Sequence, residues 1–222
     1  MIDRTRYLKI HDEAYKRLRQ NKQSSWSKVE DVAERVSFYQ SALEKFAAKS
    51  ILILGCGDGE TSLALAQAHF EVTGLDISPT AIQWAKEKSA QLDVKLQFIE
   101  GNVVTLSLQR SFDAIIDDHC LHCIIGADRA LTLGAVFSNL LPGGIFISRT
   151  QCGDPPATAP AEFFKTWDPE TRCQIYGGIA GRYFGKPESI LEEVTRSGLR
   201  VVQQRTFLYP EGWEMLEITG LK

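Results

Sequence analysis

The sequence predicts a doubly wound α/β fold, in which a mostly parallel sheet is covered by helices on both faces. From residue 50 onward, short apolar runs alternate with segments of helical periodicity, which is typical of parallel sheets. The first apolar run, 51–54, ends in a glycine-rich turn that leads directly into a helical segment. Two β-rich runs, 199–208 and 213–219, close the chain with a short connection, which favours an antiparallel hairpin at one sheet edge.

Residues 1–47 are predicted to form a helical lid segment beside an α/β core over residues 48–222. The polar stretch 20–25 separates two helices, and the second has an apolar face suited to packing on the core. That face consists of Val32, Val36, Tyr39, Leu43 and Phe46. We find no repeat and no second boundary, so 1–222 is predicted to be a single domain.

Periodicity and turn signals predict the remaining elements in chain order. Ser78-Pro79 is a strong helix start, because a capping hydroxyl precedes a proline in the first turn. Residues 150–186 are rich in proline and glycine and are expected to be irregular. The predicted strands are 50–55, 71–76, 94–98, 112–117 and 145–148, and the predicted helices are 60–69, 78–91, 128–141 and 187–197.

The composition argues against several classes of protein. No apolar run approaches the roughly 20 residues that span a bilayer, and the N-terminus has no apolar signal-peptide core. Five cysteines without such a signal favour reduced thiols and a cytoplasmic location. The net charge of −3 gives no overall attraction to a polyanion, although the first fifty residues are net basic. We therefore expect no membrane partner and disfavour nucleic acid, and make no prediction about oligomeric state.

The glycine-rich turn carries Gly55, Gly57 and Gly59 after the first strand. Glycine suits a turn with unusual dihedral angles whose backbone amides face a ligand. The spacing G-x-G-x-G differs from the dinucleotide fingerprint G-x-G-x-x-G, because Glu60 holds the sixth position. No Gly-Lys-Ser/Thr follows, so a phosphate-binding P-loop is also excluded.

Polar residues follow the next strands, where ligands of such sheets bind. Asp76 ends the second strand about 20 residues beyond the first glycine, as an acidic ribose ligand should. Asn102 follows the third strand, and its side-chain oxygen can accept a hydrogen bond from an adenine amino group.

Together with the segments 112–117 (Phe-Asp-Ala-Ile-Ile-Asp) and 140–144 (Leu-Leu-Pro-Gly-Gly), these motifs resemble the class I S-adenosylmethionine-dependent methyltransferases over about residues 50–150. The resemblance implies a Rossmann-like, mostly parallel seven-stranded sheet with a C-terminal antiparallel hairpin and an N-terminal helical lid. It also implies that S-adenosylmethionine is the cofactor and S-adenosylhomocysteine the product. The residues that it assigns to the cofactor are Gly55, Cys56, Gly57, Gly59, Asp76, Ile77, Asn102, Val103 and Asp117.

One position departs from the family pattern. The first strand of the family often carries an acidic residue two positions before the first glycine, and this chain has Ile53 there. The methionine end of the cofactor must then be held by other groups. We consider Asp117, the backbone carbonyls around Gly55 and the N-terminal lid.

The segment 117–123 follows the fourth strand and reads Asp-Asp-His-Cys-Leu-His-Cys. A neutral imidazole, His119 or His122, could remove a proton from the acceptor with Asp117 beside it. Cys120 and Cys123 form a C-x-x-C that could instead bind a soft metal ion, but no second ligand pair accompanies it. The segment also resembles a stretch that packs the pocket mouth in the family. We predict a catalytic role and no metal, with packing as the alternative.

Further residues at the same edge are candidates for the acceptor site. The positions of Asp117 and Arg129 weakly resemble those of two pocket residues in the thiol and thiopurine branch of small-molecule methyltransferases. An arginine can bind a substrate carboxylate through two hydrogen bonds. The lid aromatics Tyr7, Tyr15 and Trp26 could exclude water. The predicted substrate residues are Asp118, Cys120, Arg129, Arg149, Arg182 and Tyr183.

The sequence thus predicts methyl transfer to an oxygen, nitrogen or sulfur atom of a small molecule. The short chain leaves little room for a separate recognition domain, which favours a small acceptor. The alternatives are an RNA methyltransferase that uses the basic N-terminal segment, and a module that binds S-adenosylmethionine without catalysis.

Overall fold

The computed structural model describes residues 4–26, 29–108 and 110–222, without the side chains of residues 4–9, 29 and 30. Tyr7, predicted to be a lid aromatic, therefore lies outside the described side chains. The strands are β1 Ser50–Leu54, β2 Glu71–Asp76, β3 Leu96–Glu100, β4 Phe112–Asp118, β5 Leu140–Cys152, β6 Trp167–Asp168, β7 Cys173–Tyr176, β8 Ile179–Tyr183, β9 Arg200–Leu208 and β10 Glu214–Leu221. The helices are α1 Arg4–Gln20, α2 Val29–Lys45, α3 Glu60–Gln67, α4 Pro79–Ser89, α5 Ala127–Asn139, α6 Ala161–Phe164 and α7 Pro187–Arg196.

Within the described residues, seven strands form one sheet in the order β3-β2-β1-β4-β5-β10-β9. The first five strands run parallel, and β10 pairs antiparallel with both β5 and β9. Leu52 and Leu54 join the apolar core on one face, while Ile51 and Ile53 join the core on the other. Alternate β1 side chains are thus buried on opposite faces, which confirms the predicted doubly wound fold.

The segment 150–186 is not irregular, as the sequence led us to expect. The strand β5 continues to Cys152, and β6, β7 and β8 form a separate antiparallel sheet. Gly177 and Gly178, both at positive φ, make the β7–β8 turn. An aromatic cluster supports the small sheet and was not visible as a periodic pattern, because its members are far apart in the chain. These residues are Phe163, Trp167, Phe184 and Trp213.

Element boundaries also differ from prediction, by about two residues for β3 (predicted 94–98), α3 (predicted 60–69) and α4 (predicted 78–91), and by more at the start of β5 (predicted 145–148). The helix α5 ends at Asn139 rather than at 141, because Leu140 already pairs with Phe112 of β4. The Pro142–Gly144 turn therefore lies inside β5 instead of preceding it.

Two helices form the N-terminal segment. The Asp12 carboxylate of α1 accepts hydrogen bonds from the Ser78 hydroxyl (2.7 Å) and the Thr80 amide (3.1 Å), which fixes α1 to the start of α4. The helix α2 packs on the sheet through Tyr39 and Leu43, both fully buried. No helix in the described ranges combines the length and apolar character that crossing a membrane requires.

Candidate active site

A cavity of about 690 Å³ opens at the carboxyl ends of the parallel strands. This volume lies within the range of roughly 300–1,000 Å³ that small-molecule sites occupy. Its floor is formed by residues that follow β1, β2, β3 and β4, and α1, β8 and the β9–β10 turn surround it. The site is thus enclosed by elements from both ends of the chain.

The glycine turn contributes Gly55 and Gly57 to the cavity, at φ +62° and +56°. A side chain on Gly57 would collide with the Tyr15 hydroxyl of α1, and one on Gly55 would lie 2.9 Å from the Cys120 sulfur. Gly59 is different, because it precedes α3 outside the cavity lining and a Cβ there would meet Phe98. Of the three glycines, Gly55 and Gly57 line the cavity and Gly59 does not.

The Asp76 carboxylate holds the glycine turn in place. It accepts hydrogen bonds from the Gly57 amide (2.9 Å) and the Ser78 amide (2.8 Å), and it lines the cavity together with Ile77. Burial raises the pKa of Asp76 to about 6, although the backbone amides oppose the shift. A buried carboxylate with remaining acceptor capacity is well suited to bind paired hydroxyl groups.

Asn102 and Val103 line the cavity after β3. The Asn102 side-chain oxygen already accepts a hydrogen bond from the Val104 amide at 2.9 Å, which caps the short helix 103–105. A carbonyl oxygen has two lone pairs, so the same atom has the capacity to accept a second hydrogen bond from an adenine amino group. That contact stays a prediction.

Asp117 and Asp118 are adjacent but face different surroundings. Asp117 does not line the cavity: it accepts hydrogen bonds from the Cys120 amide (2.8 Å), the Leu121 amide (2.7 Å) and the Ser148 hydroxyl (2.5 Å). It therefore anchors the turn that carries the histidines and cysteines. Its predicted catalytic and cofactor roles have no contact with the cavity to support them.

Asp118 does line the cavity, within a group of polar side chains from α2 and α3. Its carboxylate lies 3.2 Å from Arg35 Nε and accepts hydrogen bonds from the Tyr39 hydroxyl (2.9 Å) and the Thr61 hydroxyl (2.6 Å). Burial raises the pKa of Asp118, but Arg35, His119 and these hydroxyls outweigh burial and leave the pKa below its usual value. Asp118 is therefore ionised at neutral pH.

Three imidazoles meet in the cavity. His119 and His122 follow β4, their ring centres 6.0 Å apart, and His11 comes from α1. Burial is the main cause that lowers the pKa of His119 and of His11 to about 4, so both are neutral at pH 7. Burial also lowers the pKa of His122. Nε2 of His119 and Nδ1 of His122 are buried without a hydrogen-bond partner among the described residues.

Cys56, Cys120 and Cys123 also line the cavity, and burial raises the pKa of each. They are thiols rather than thiolates at neutral pH. In the part of the chain that the structure describes, no group of three or more His, Cys, Asp or Glu side chains is arranged to hold a metal ion.

Of the four residues predicted to bind substrate from more distant elements, Arg182 lines the cavity, whereas Arg129, Arg149 and Tyr183 do not. Arg129 donates to the Leu121 carbonyl (2.5 Å), pairs with Glu193 and lies over the Tyr183 ring. Arg149 is fully buried and lies 2.9 Å from Glu34 and 3.5 Å from Glu217. These three side chains therefore support the walls around the site.

Several cavity residues were not predicted from the sequence. Arg35 had a visible signal, because it falls among apolar residues at helical spacing, between Val32 and Tyr39. The other residues come from separate parts of the chain that the fold brings together. They are His11, Asp31, Asp58, Glu60, Thr61, Gln151, Tyr209, Pro210 and Glu211.

Comparisons with known sequences match this chain to methyltransferases. A family model described as a methyltransferase domain matches residues 45–196. The ubiquinone biosynthesis O-methyltransferase of Methylobacterium sp. (strain 4-46) is 29% identical over 174 residues, covering 75% of this chain and 66% of that protein. A methyltransferase of Geobacillus sp. (strain WCH70) is 37% identical over 82 residues, or 36% of this chain and 33% of that protein. The matches thus span about one third to two thirds of the length of these relatives.

Solved structures resemble the whole fold. The 1,6-didemethyltoxoflavin-N1-methyltransferase of Burkholderia thailandensis superimposes with a TM-score of 0.74 at 17% identity, covering 100% of this chain and 91% of that one. Its structure holds 1,6-didemethyltoxoflavin and S-adenosylhomocysteine. A SAM-dependent methyltransferase of Methanosarcina mazei gives a TM-score of 0.64 at 22% identity, covering 78% and 92%. At these identities the similarity concerns the fold.

Proposed function

The chain belongs to the class I S-adenosylmethionine-dependent methyltransferases, and we propose that it transfers a methyl group to an oxygen, nitrogen or sulfur atom of a small molecule. The observation that carries this proposal is one cavity lined by two chemically different groups of residues. The glycine turn and the buried Asp76 carboxylate form one group, and the neutral imidazoles with Arg182 form the other.

The glycine turn and Asp76 fit the methyl donor. Gly55 and Gly57 line the cavity without side chains, with Cys120 and the Tyr15 hydroxyl packed close to them. The buried Asp76 carboxylate can accept hydrogen bonds from two ribose hydroxyls. Asn102 and Val103 would contact the adenine. When bound, S-adenosylmethionine supplies a methyl group already activated by its sulfonium charge, so the protein mainly provides alignment and a dry site.

Asp118 and Arg35 would hold the amino-acid end of the donor. Leu54 pairs with Asp117 in the parallel register of β1 and β4, so Asp118 lies beside Gly55. An ionised carboxylate and a guanidinium, 3.2 Å apart and both lining the cavity, complement the ammonium and carboxylate of an amino acid. On this proposal Asp118 supplies, from the neighbouring strand, the negative charge that Ile53 does not.

His119 would accept the proton of a hydroxyl or ammonium acceptor. Its neutral imidazole lines the cavity, and its unpartnered Nε2 is free to accept. The new bond joins the methyl carbon to the acceptor atom while the carbon–sulfur bond breaks, and the acceptor's proton passes to Nε2. A thiol acceptor needs less help, because thiolate is partly populated at neutral pH.

The walls of the cavity favour a small acceptor. The helix α1, the strand β8 and the 209–211 turn contribute to the lining around the strand ends, so a reacting atom must enter a cavity of about 690 Å³. A folded RNA or protein would have to insert a single flexible group past these elements.

The proposed function is tested by calorimetry followed by an acceptor screen. We expect S-adenosylhomocysteine to bind and NAD not to bind, because the glycine spacing suits the former. Purified protein with labelled S-adenosylmethionine should then methylate at least one member of a panel of thiols, amines, phenols and carboxylates. Binding without turnover on this panel would favour a non-catalytic module, and methylation of RNA alone would contradict the small-molecule proposal.

Asp118→Asn tests the assignment of the amino-acid end. We expect it to weaken binding of S-adenosylhomocysteine about tenfold, because one charge-assisted hydrogen bond is lost. Binding of 5′-methylthioadenosine, which has no amino acid, should change less than twofold. Calorimetry measures both, with Glu217→Gln as the control, since Glu217 is a buried carboxylate paired with Arg205 outside the cavity. Equal weakening of both ligands would refute the assignment.

A further inference from the structure

Arg182 differs from the other arginines around the site in its electrostatic partners. It extends from β8 into the cavity, and among the described residues no carboxylate lies within ion-pair distance of it. The neighbouring arginines are each paired with an acid at 2.6–3.2 Å. These pairs are Arg35–Asp118, Arg129–Glu193, Arg149–Glu34 and Arg172–Asp154.

The groups around Arg182 are uncharged at neutral pH. Burial and then the Arg182 charge lower the pKa of His11 to about 4 and also lower the pKa of His122. Burial raises the pKa of the Cys123 thiol to about 11, although a hydrogen bond from Arg182 opposes the shift. The guanidinium is therefore a positive charge surrounded by neutral imidazoles and a thiol.

The acids of the cavity do not compensate this charge. Asp76 accepts hydrogen bonds from the Gly57 and Ser78 amides, Asp118 pairs with Arg35, and Asp58 and Glu60 both pair with Lys88. Asp31 and Glu211 are exposed to solvent, which screens them.

Two buried nitrogen atoms lie in the same part of the cavity without partners. Nδ1 of His122, a side chain only 5% exposed, has no hydrogen-bond partner among the described residues, and neither has Nε2 of His119. Buried polar atoms are normally satisfied, so atoms left unsatisfied in a cavity point to a ligand. A guanidinium can bind a planar oxyanion through two hydrogen bonds, and a neutral His122 with its proton on Nδ1 can donate a third. The unprotonated Nε2 of His119 then stays available as the base.

We propose that Arg182 binds a carboxylate of the methyl acceptor, so that the preferred acceptors are small organic acids. A single guanidinium balances the single charge of a carboxylate, whereas a phosphate monoester would leave excess negative charge in a buried site. This inference rests on the proposed function. It separates the roles of the two cavity cations, because Arg35 faces the donor and Arg182 faces the acceptor.

The experiment compares acids with their neutral methyl esters. Binding to the protein loaded with S-adenosylhomocysteine is measured by calorimetry for salicylate, 4-hydroxybenzoate, thiosalicylate and anthranilate, each beside its ester. We expect at least one acid to bind about 10- to 100-fold more tightly than its ester. Arg182→Gln should abolish this preference, and Arg182→Lys should retain part of it. The control is Arg205→Gln, because Arg205 lies on β9 outside the cavity.

Three results would overturn the inference. The first is that no acid binds better than its ester, and the second is that Arg182→Gln keeps the preference for the acid. The third is that Arg182→Gln weakens the binding of S-adenosylhomocysteine tenfold while the binding of 5′-methylthioadenosine is unchanged. The last result would assign Arg182 to the donor's carboxylate. Should Arg182→Gln not fold, Arg182→Lys is tested with the acid that the wild type prefers most, because the preference of this variant must then be smaller than that of the wild type. Failure of the wild-type protein to bind S-adenosylhomocysteine at all would instead refute the proposed function.

Discussion

Replacing Asp76 with alanine is expected to raise the dissociation constant of S-adenosylhomocysteine by about 100-fold or more. Two charge-assisted hydrogen bonds to the ribose would be lost, each worth about 1.5–3 kcal/mol. The Gly57 and Ser78 amides would also lose their acceptor, which loosens the glycine turn. Isothermal calorimetry at pH 7.5 measures the effect.

Asp113→Ala is the matched control for this prediction. The Asp113 carboxylate likewise accepts bonds from two backbone amides, those of Lys49 and Ser50 (3.0 and 2.8 Å), but at the start of β4, away from the cavity. Asp113→Ala should lower the melting temperature of the protein while leaving the dissociation constant of S-adenosylhomocysteine within twofold of the wild-type value. An Asp76→Ala variant that binds as tightly as the wild type would refute the ribose assignment.

The same carboxylate makes donor binding depend on pH. Burial raises the pKa of Asp76 to about 6 in the free protein, and hydroxyl donors favour its ionised form. Binding should therefore be strongest above pH 7 and weaken as pH falls below 6, and Asp76→Ala should remove this dependence.

His119→Asn is expected to reduce kcat by about 10²–10⁴ for an acceptor that must lose a proton from a hydroxyl or ammonium group. Asparagine is chosen because residue 119 has φ +62°, which Asn tolerates better than Ala, and because an amide cannot serve as the base. Initial rates at saturating S-adenosylmethionine measure the loss. Affinity for S-adenosylhomocysteine should stay within about threefold.

His69→Asn provides the control, because His69 also has positive φ (+69°) but is exposed outside the cavity. Its kcat should equal that of the wild type. Full turnover by His119→Asn would contradict the assignment, and a loss confined to His122→Asn would transfer the role to His122.

Much of the donor site was predictable because its signals are local. The glycine turn and Asp76 follow strands whose apolar runs are plain in the sequence, so topology alone places them at one sheet edge. The roles of Asp117 and Asp118 were harder to separate. Successive side chains of a strand point to opposite faces of the sheet, so Asp117 and Asp118 lie on different faces. Packing against α2 and α3 decides which of the two lines the cavity.

The rest of the proposed site, which includes the amino-acid end of the donor and the acceptor side, depends on contacts between distant parts of the chain. Arg35 meets Asp118 across 83 positions, and the 209–211 turn reaches the same cavity. Arg149 looked like a substrate ligand because it follows the fifth predicted strand, and Arg129 because of the resemblance to the thiol and thiopurine branch. Their ion pairs with Glu193 and Glu34, which no local pattern reveals, instead give them supporting positions.

The small sheet bears on how such an enzyme diversifies. Among the described residues, β6, β7 and β8 pair with one another and not with the main sheet, and β8 carries Arg182. On the proposed function, mutations within residues 167–183 would change acceptor preference without disturbing the parallel strands assigned to the donor. After gene duplication, one copy could evolve a new acceptor through this short stretch while inheriting its donor chemistry intact.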